Sequence, residues 1–229
     1  MKPIHGQEAY VIHVRPYRET SVLVTAFVAH FGKMNLLARG VRTARSPLKA
    51  LLQPFMPLMI SFQGRTDLKL LTQCELYGDW SPLKGSSVAC GLYLNELLYA
   101  LLPNGVEHAS LFGYYQETLM TLSRGEVQGA ALRLFEKHLV DELGYALQLT
   151  HDIDGAPIES QRRYSYLPKA GARPLLNEAA RGIAGKTLLD LEHNDLSDPV
   201  SAAEAQHLLR PVIEHLLEGK PIQSRAIWA

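Results

Sequence analysis

Residues 8–41 read EAYVIHVRPYRETSVLVTAFVAHFGKMNLLARGV, and the patterning of this stretch decides the fold. Glu8–Pro16 alternates and is rich in Val, Ile and Tyr. Thr20–His30 carries β-branched and aromatic residues with no helix cap. Gly32 breaks the run, Lys33–Val41 resumes it with Met34, Leu36, Leu37 and Ala38, and Gly40 ends it. Such period-two apolar runs, punctuated by turn residues, predict short β-strands. Working outward, Phe55–Phe62 is apolar, and its Pro57 suits a strand start or an edge. Leu68–Tyr77 follows the turn-like Gln63-Gly64-Arg65. Five short strands in about 80 residues predict a small barrel with OB-like dimensions. An SH3-like barrel fits the same pattern nearly as well.

The character changes after Trp80. Ser81-Pro82-Leu83-Lys84-Gly85 is turn-rich and marks a boundary between domains at 1–80 and 81–229. Ser86–Leu102 places Val88, Leu92, Leu94, Leu98 and Leu101 near helical spacing, and Pro103-Asn104-Gly105 stops it. His108–Ser123 sets Leu111, Tyr115, Leu119 and Leu122 on one face. Glu126–Leu143 aligns Leu132, Phe135, Leu139 and Leu143, with Gly144 where a C-cap glycine would stand. His151–Pro174, with Gly155, Pro157, Pro168, Gly171 and Pro174, reads as a long loop or short hairpin. Ser201–Leu217 is a last helix, with Ser201 and Glu204 as a capping box and Pro211 as a kink. The fold class is therefore α+β, a barrel followed by an α-helical domain.

The chain has 229 residues, with 23 Lys/Arg and 23 Asp/Glu. A zero net charge excludes a simple polybasic binder and an acidic solvating tail. It conceals a split: residues 1–80 hold ten Lys/Arg against five Asp/Glu, a balance of +5, and the remainder carries −5. Two modules with different partners are expected. Two cysteines, Cys74 and Cys90, exclude a four-thiolate zinc site within one chain and fit a reducing compartment. Met1–Gly6 shows no secretory signal pattern, and no apolar run approaches a membrane span. A cytoplasmic protein with no membrane partner is expected.

The strongest local signal is ARGVRTARSPLK, residues 38–49, which holds Arg39, Arg42, Arg45 and Lys49. Gly40, Ser46 and Pro47 argue against one continuous helix, so these cations belong to a loop or strand end. Mobile cations beside a barrel suit a sugar–phosphate backbone, whose affinity comes largely from counterion release. Arg15, Arg18, Lys33, Arg65 and Lys69 add charge to the same module. Tyr10, Tyr17, Phe27, Phe31 and Phe62 could stack bases, although aromatics in a small barrel commonly fill its core. His138 and Glu142, at i,i+4 beside Asp141, and the group His151, Asp152 and Asp154 have weak metal-ligand spacing. A solvated helix face and a turn explain them more simply. Glycine-rich phosphate loops and nucleophile elbows are absent, which argues against an enzyme. Arg133, among Leu132, Phe135 and Leu139, could receive a peptide carboxylate beside an apolar groove, or be an ordinary surface cation.

Several segments together resemble the RecO family of bacterial recombinational repair proteins. They are Arg15-Pro16-Tyr17-Arg18-Glu19-Thr20-Ser21, Ala38-Arg39-Gly40-Val41-Arg42 with Ser46-Pro47-Leu48-Lys49, and Leu52-Gln53-Pro54-Phe55-Met56-Pro57. In the helical part they are Gly91–Leu98, Leu132-Arg133-Leu134-Phe135-Glu136, Leu143-Gly144-Tyr145 and Lys220–Arg225. The resemblance implies an N-terminal OB domain, binding of single- and double-stranded DNA, and annealing of complementary strands. It also implies cooperation with RecR in loading RecA onto DNA covered by single-stranded-DNA-binding protein (SSB). Arg15, Arg18, Lys33, Arg39, Arg42, Arg45 and Lys49 become the expected DNA-binding residues. Arg133, with Leu132 and Phe135, becomes the expected contact for the acidic C-terminal tail of SSB. Many family members carry a four-cysteine zinc site after the L-G-Y segment; residues 151–174 contain no cysteine, so no metal and no cofactor is expected here. The remaining alternatives are a generic OB-type nucleic-acid binder and a metal-dependent nuclease using His138, Glu142 or the His151–Asp154 group.

Overall fold

In a computed structural model, which describes residues 3–125, 128–176 and 182–224, the long strand β1 (Ile4–Tyr17) organises the N-terminal part. Its fourteen residues exceed what one partner needs. Ile4–Ala9 pairs antiparallel with β4 (Leu58–Gln63), and Ala9–Tyr17 pairs with β2 (Ser21–Val28), with a register shift between Val11 and His13. An irregularity of this kind bends a strand and increases its twist, which lets one strand serve both edges of a closing sheet. β2 pairs antiparallel with β3 (Gly32–Ala38). β5 (Leu68–Leu76) pairs antiparallel with β4 and parallel with β3. The closed order β1-β2-β3-β5-β4, with one parallel pair, is that of an OB barrel and decides against the SH3-like alternative. All five predicted strands are present, with ends shifted by a few residues.

Alternation sorts the side chains. Val11, Val22, Val24, Ala26, Val28, Leu36, Leu58, Ile60 and Phe62 fill the barrel. A one-turn helix missed in the sequence, α1 (Leu48–Leu51), packs Leu48 and Leu51 against the same core. Tyr10 and Phe27 point the other way, against Phe112 and Tyr115 of α3 (Ala109–Arg124), with ring centroids 5.2 to 6.1 Å apart. The α3 face expected from spacing is the buried one. α2 (Ser86–Leu101) differs: Ala89, Cys90, Tyr93, Leu94, Leu97 and Leu98 are buried, whereas Val88, Leu92 and Leu101 are only half-buried. Its Gly91 stands where a Cβ would lie 2.7 Å from Leu83 and 2.8 Å from the Phe55 ring, so only glycine lets that ring reach the helix. Buried Asn95 accepts from the Tyr115 hydroxyl at 2.6 Å and donates to the Val11 carbonyl at 3.4 Å, which satisfies polar groups that burial would otherwise penalise.

Contacts divide the chain into two compact units, Met1–Gly125 with Ile222–Ala229, and Glu126–Pro221. Strands give way to helices after Trp80, yet α2 and α3 cluster with the barrel. The second unit contains α4 (Gln128–Glu142), the sheet β7-β6-β8 (Gly171–Pro174, Arg163–Leu167 and Ile183–Ala184), α5 (Gly185–Glu192) and α6 (Pro199–Leu217). Residues 126 and 127, where a helix start was expected, lie outside the described residues. Of the 151–174 stretch, the second half forms the β6–β7 hairpin. α4 ends in the glycine cap foreseen: Gly144 takes a φ of +81°, its N–H donates to Asp141, and the Tyr145 N–H donates to Val140.

The predicted capping box at Ser201 and Glu204 does not form. α6 starts earlier, with Pro199 in its first turn and Asp198 accepting from the Val200 N–H at 2.9 Å. Ser201 instead donates to Asp190 at 2.6 Å. Glu204 accepts from Arg163, the Ala184 N–H and the Thr187 hydroxyl, each at 2.8 Å, and so ties α6 to β6, β8 and α5. α6 continues through Pro211. Burial alone would raise the Glu204 pKa, but the Ala184, Thr187 and Arg163 donors outweigh it and hold the pKa below its ordinary 4.5. A depressed carboxylate pKa stabilises the fold above the unfolded value and is lost as pH falls through the folded one. Glu204→Gln is therefore expected to lower stability by about 1–3 kcal/mol at neutral pH. The gap to the parent should close below 4.5 in denaturant titrations run along a pH series; a gap independent of pH would refute this role.

Candidate nucleic-acid interface

Register gathers most of the expected DNA-binding cations at one end of the barrel. Pro16 of β1 faces Val22 of β2, and Val22 faces Ala38 of β3. Arg15 at the end of β1, Arg18 in the following turn and Arg39 just after β3 therefore converge. Arg42 locks that end: its N–H donates to the Thr20 carbonyl at 2.9 Å, and its guanidinium donates to the Arg18 carbonyl at 2.8 Å. Arg18 holds a left-handed φ of +53° and lies over the Tyr17 ring at 5.3 Å. Arg45 rides the tight turns that follow Gly40, and Lys49 sits on α1. Arg42 and Lys49 flank a hollow of about 300 Å³ lined by Val14, Val22, Val41, Leu52 and Gln53, which sequence reasoning did not pick out.

All six of these cations, Arg15, Arg18, Arg39, Arg42, Arg45 and Lys49, are exposed. Among the described residues no carboxylate lies within ion-pair distance of any of them. An exposed rim of unneutralised charge at the mouth of a barrel can accept phosphates without first breaking an internal pair. Lys33 stands apart. It is the second residue of β3, opposite Phe27, about 17 Å along the strand from Ala38. Its ammonium donates to the Tyr99 carbonyl at 2.7 Å.

The proposed stacking rings fare differently. Tyr10, Phe27 and Phe62 are buried, and Phe31 packs edge-on against Phe62 with centroids 5.3 Å apart. These rings complete cores, because a five-stranded barrel needs large side chains on both faces of its sheet to close and to seat helices. Tyr17 is half-buried, whereas Tyr77, Trp80, Tyr99 and Tyr114 are exposed.

In the second unit, Arg133 is buried, and its guanidinium pairs with Glu136 at 2.7 Å. Its Nε–H has no acceptor among the described residues. Leu132 and Phe135 are buried as well, so they are core side chains of α4. The described residues contain no group of three or more His, Cys, Asp or Glu placed to hold a metal. Half-burial, and then the charge of Lys137, lower the His138 pKa to about 4. Asp152 is spent on its own turn, accepting from the Asp154 and Ala156 N–H groups at 2.9 Å. No helix among the described residues is long and apolar enough to cross a membrane.

An OB barrel with a cationic rim, followed by a helical region, defines a class of nucleic-acid-handling proteins, and comparison with known proteins narrows it. The family model for the N terminus of recombination protein O matches residues 1–79, and that for its C terminus matches residues 83–226. The DNA repair protein RecO of Dechloromonas aromatica is 42% identical over 232 residues, covering 98% of this chain and 95% of the relative. That of Ralstonia nicotianae is 39% identical over 227 residues, covering 98% and 84%. That of Nitrosococcus oceani is 42% identical over 224 residues, covering 96% and 91%. The chain belongs to the RecO family of DNA repair proteins.

Removing two rim charges should flatten the salt dependence of single-strand binding. Each phosphate left unneutralised takes about 0.7 off the slope of log K against log salt. Arg42→Ala with Arg45→Ala is therefore expected to reduce the slope by about 1.4 in anisotropy titrations. An unchanged slope would remove this loop from the interface.

Proposed function

We propose that this chain is a non-enzymatic mediator of recombinational repair in the cytoplasm. It binds single- and double-stranded DNA, anneals complementary strands and, with RecR, helps load RecA onto SSB-coated DNA. The observation that carries the reading is the exposed rim of Arg15, Arg18, Arg39, Arg42, Arg45 and Lys49, with no carboxylate partner among the described residues, on an OB barrel of this family. Cations there neutralise phosphates on two strands and hold the strands close against their mutual repulsion. Base pairing then supplies the driving force, so no bond need be made or broken by the protein.

Recruitment to coated DNA is assigned to the second unit, where the SSB tail meets Arg133. The Arg133 guanidinium keeps a donor, Nε–H, with no acceptor among the described residues, although burial means a tail carboxylate must displace its cover to reach it. On this reading the rim within residues 1–80 holds DNA, and the partner contact at Arg133 lies within residues 81–229.

Annealing of fluorophore-labelled complementary strands, bare and SSB-coated, tests this reading. The parent should anneal both. Arg133→Lys keeps the charge but loses the planar fork. It should slow annealing of coated strands and spare bare ones. Equal loss on both would undo the tail assignment. Cleavage of the strands in Mg²⁺ or Mn²⁺ would overturn the mediator reading in favour of a nuclease.

A further inference from the structure

β1 turns His13, Arg15 and Tyr17 outward at every second residue, while Val14 packs inward against the barrel core. Beside His13 stands Tyr99 of α2, with ring centroids 5.0 Å apart and planes inclined by 44°. The Lys33 ammonium lies 5.5 Å from the Tyr99 ring centroid and is held there by its 2.7 Å bond to the Tyr99 carbonyl. Tyr99 is nonetheless 48% exposed, and His13 is exposed. Two solvent-facing rings and a cation therefore meet on the outer side of the barrel, away from the loop cations.

The arrangement is anchored rather than mobile. The Gly105 N–H, just beyond α2, donates to the Lys33 carbonyl at 2.8 Å. The chain then crosses Gly32, φ +62°, so closely that a Cβ there would lie 1.7 Å from the Val106 carbonyl oxygen. Only glycine admits that approach, which fixes the end of α2 against the start of β3. A half-exposed ring held on a rigid element, with a cation over it, meets the physical requirement for stacking an unpaired base on its open side.

We propose that Tyr99 is a base-stacking platform for single-stranded DNA, completed by His13 and Lys33. The inference rests on the DNA-binding reading and adds to it a base contact from a helix outside the barrel. Lys33 lies near one end of β3 and Arg39 just past the other, and Arg15 of β1 stands level with Leu37 of β3 across the intervening β2. A strand lying on the part of the outer face that α3 leaves uncovered, beside Arg15, meets phosphate-binding cations at the rim and the Tyr99 ring beside His13.

The test is anisotropy of labelled oligo(dT) with the full chain. Tyr99→Ala is expected to weaken binding about tenfold, since the ring that stacks the base is gone. The salt slope should stay unchanged, because every phosphate-binding cation is kept. Tyr99→Phe should bind like the parent. Full affinity in Tyr99→Ala, or equal loss in Tyr99→Phe, overturns the platform. An oligonucleotide carrying 5-iodouracil, irradiated with the unmodified chain, supplies a readout independent of folding: a crosslink at Tyr99 supports the platform, and crosslinks confined to other residues refute it. Retained binding in Tyr99→Ala alongside loss in the Arg42→Ala, Arg45→Ala variant would sink the platform alone. Failure of the parent to bind oligo(dT) would sink both readings.

Discussion

Closure of the five-stranded barrel by β1 is the constraint on which the rest of the structure depends. One strand must hydrogen-bond to β2 along one part of its length and to β4 along another, and the register shift between Val11 and His13 makes both possible. Once the barrel is closed, alternation leaves no freedom. Val11, Val22, Val24 and Leu36 face inward, and charged residues are driven to the outer face or the ends. The apolar outer positions Tyr10 and Phe27 must then be covered, and Phe112 and Tyr115 of α3 cover them. The cationic rim follows from the same geometry. Strand ends that pair across the sheet bring Arg15, Arg18 and Arg39 together although 24 positions separate the first and last.

The barrel was legible because period-two alternation is a local property, visible in Glu8–Pro16 and Lys33–Ala38 without knowledge of partners. The parallel β3–β5 pairing was not, since it joins Asn35–Leu37 to Leu68–Leu70 across about thirty residues. That pairing alone separates an OB barrel from its SH3-like rival. Helices were read correctly where one face is apolar, as in α3. α2 misled because almost every side is covered, which erases the periodicity that marks a face. The capping-box reading failed for a related reason: Ser201 and Glu204 have the right spacing, but tertiary partners on β6, β8 and α5 claim Glu204 more strongly than its own helix end does.

The candidate site divided along the same line. Loop cations such as Arg42 and Arg45 were recognisable because Gly40, Ser46 and Pro47 exclude a helix. Most of the aromatic residues nominated beside them were lost to the core, because type alone does not tell a stacking ring from a packing one. Burial decides that, and it follows from the closed barrel. Tyr99 was invisible for the converse reason: it lies on a helix, 86 residues from His13, and only the packing of α2 against β1 and β3 brings the two rings together. Arg133 looked like a surface cation or a groove residue by spacing, and it proves to be buried against Glu136.

The central claim is that binding is driven by phosphate neutralisation at the barrel rim. It is tested most directly by titrating labelled single-stranded DNA with the parent chain across a series of salt concentrations. Engagement of four to six rim cations predicts a slope of roughly −3 to −4 in log K against log salt. Salt-independent binding, or none at low salt, would contradict it.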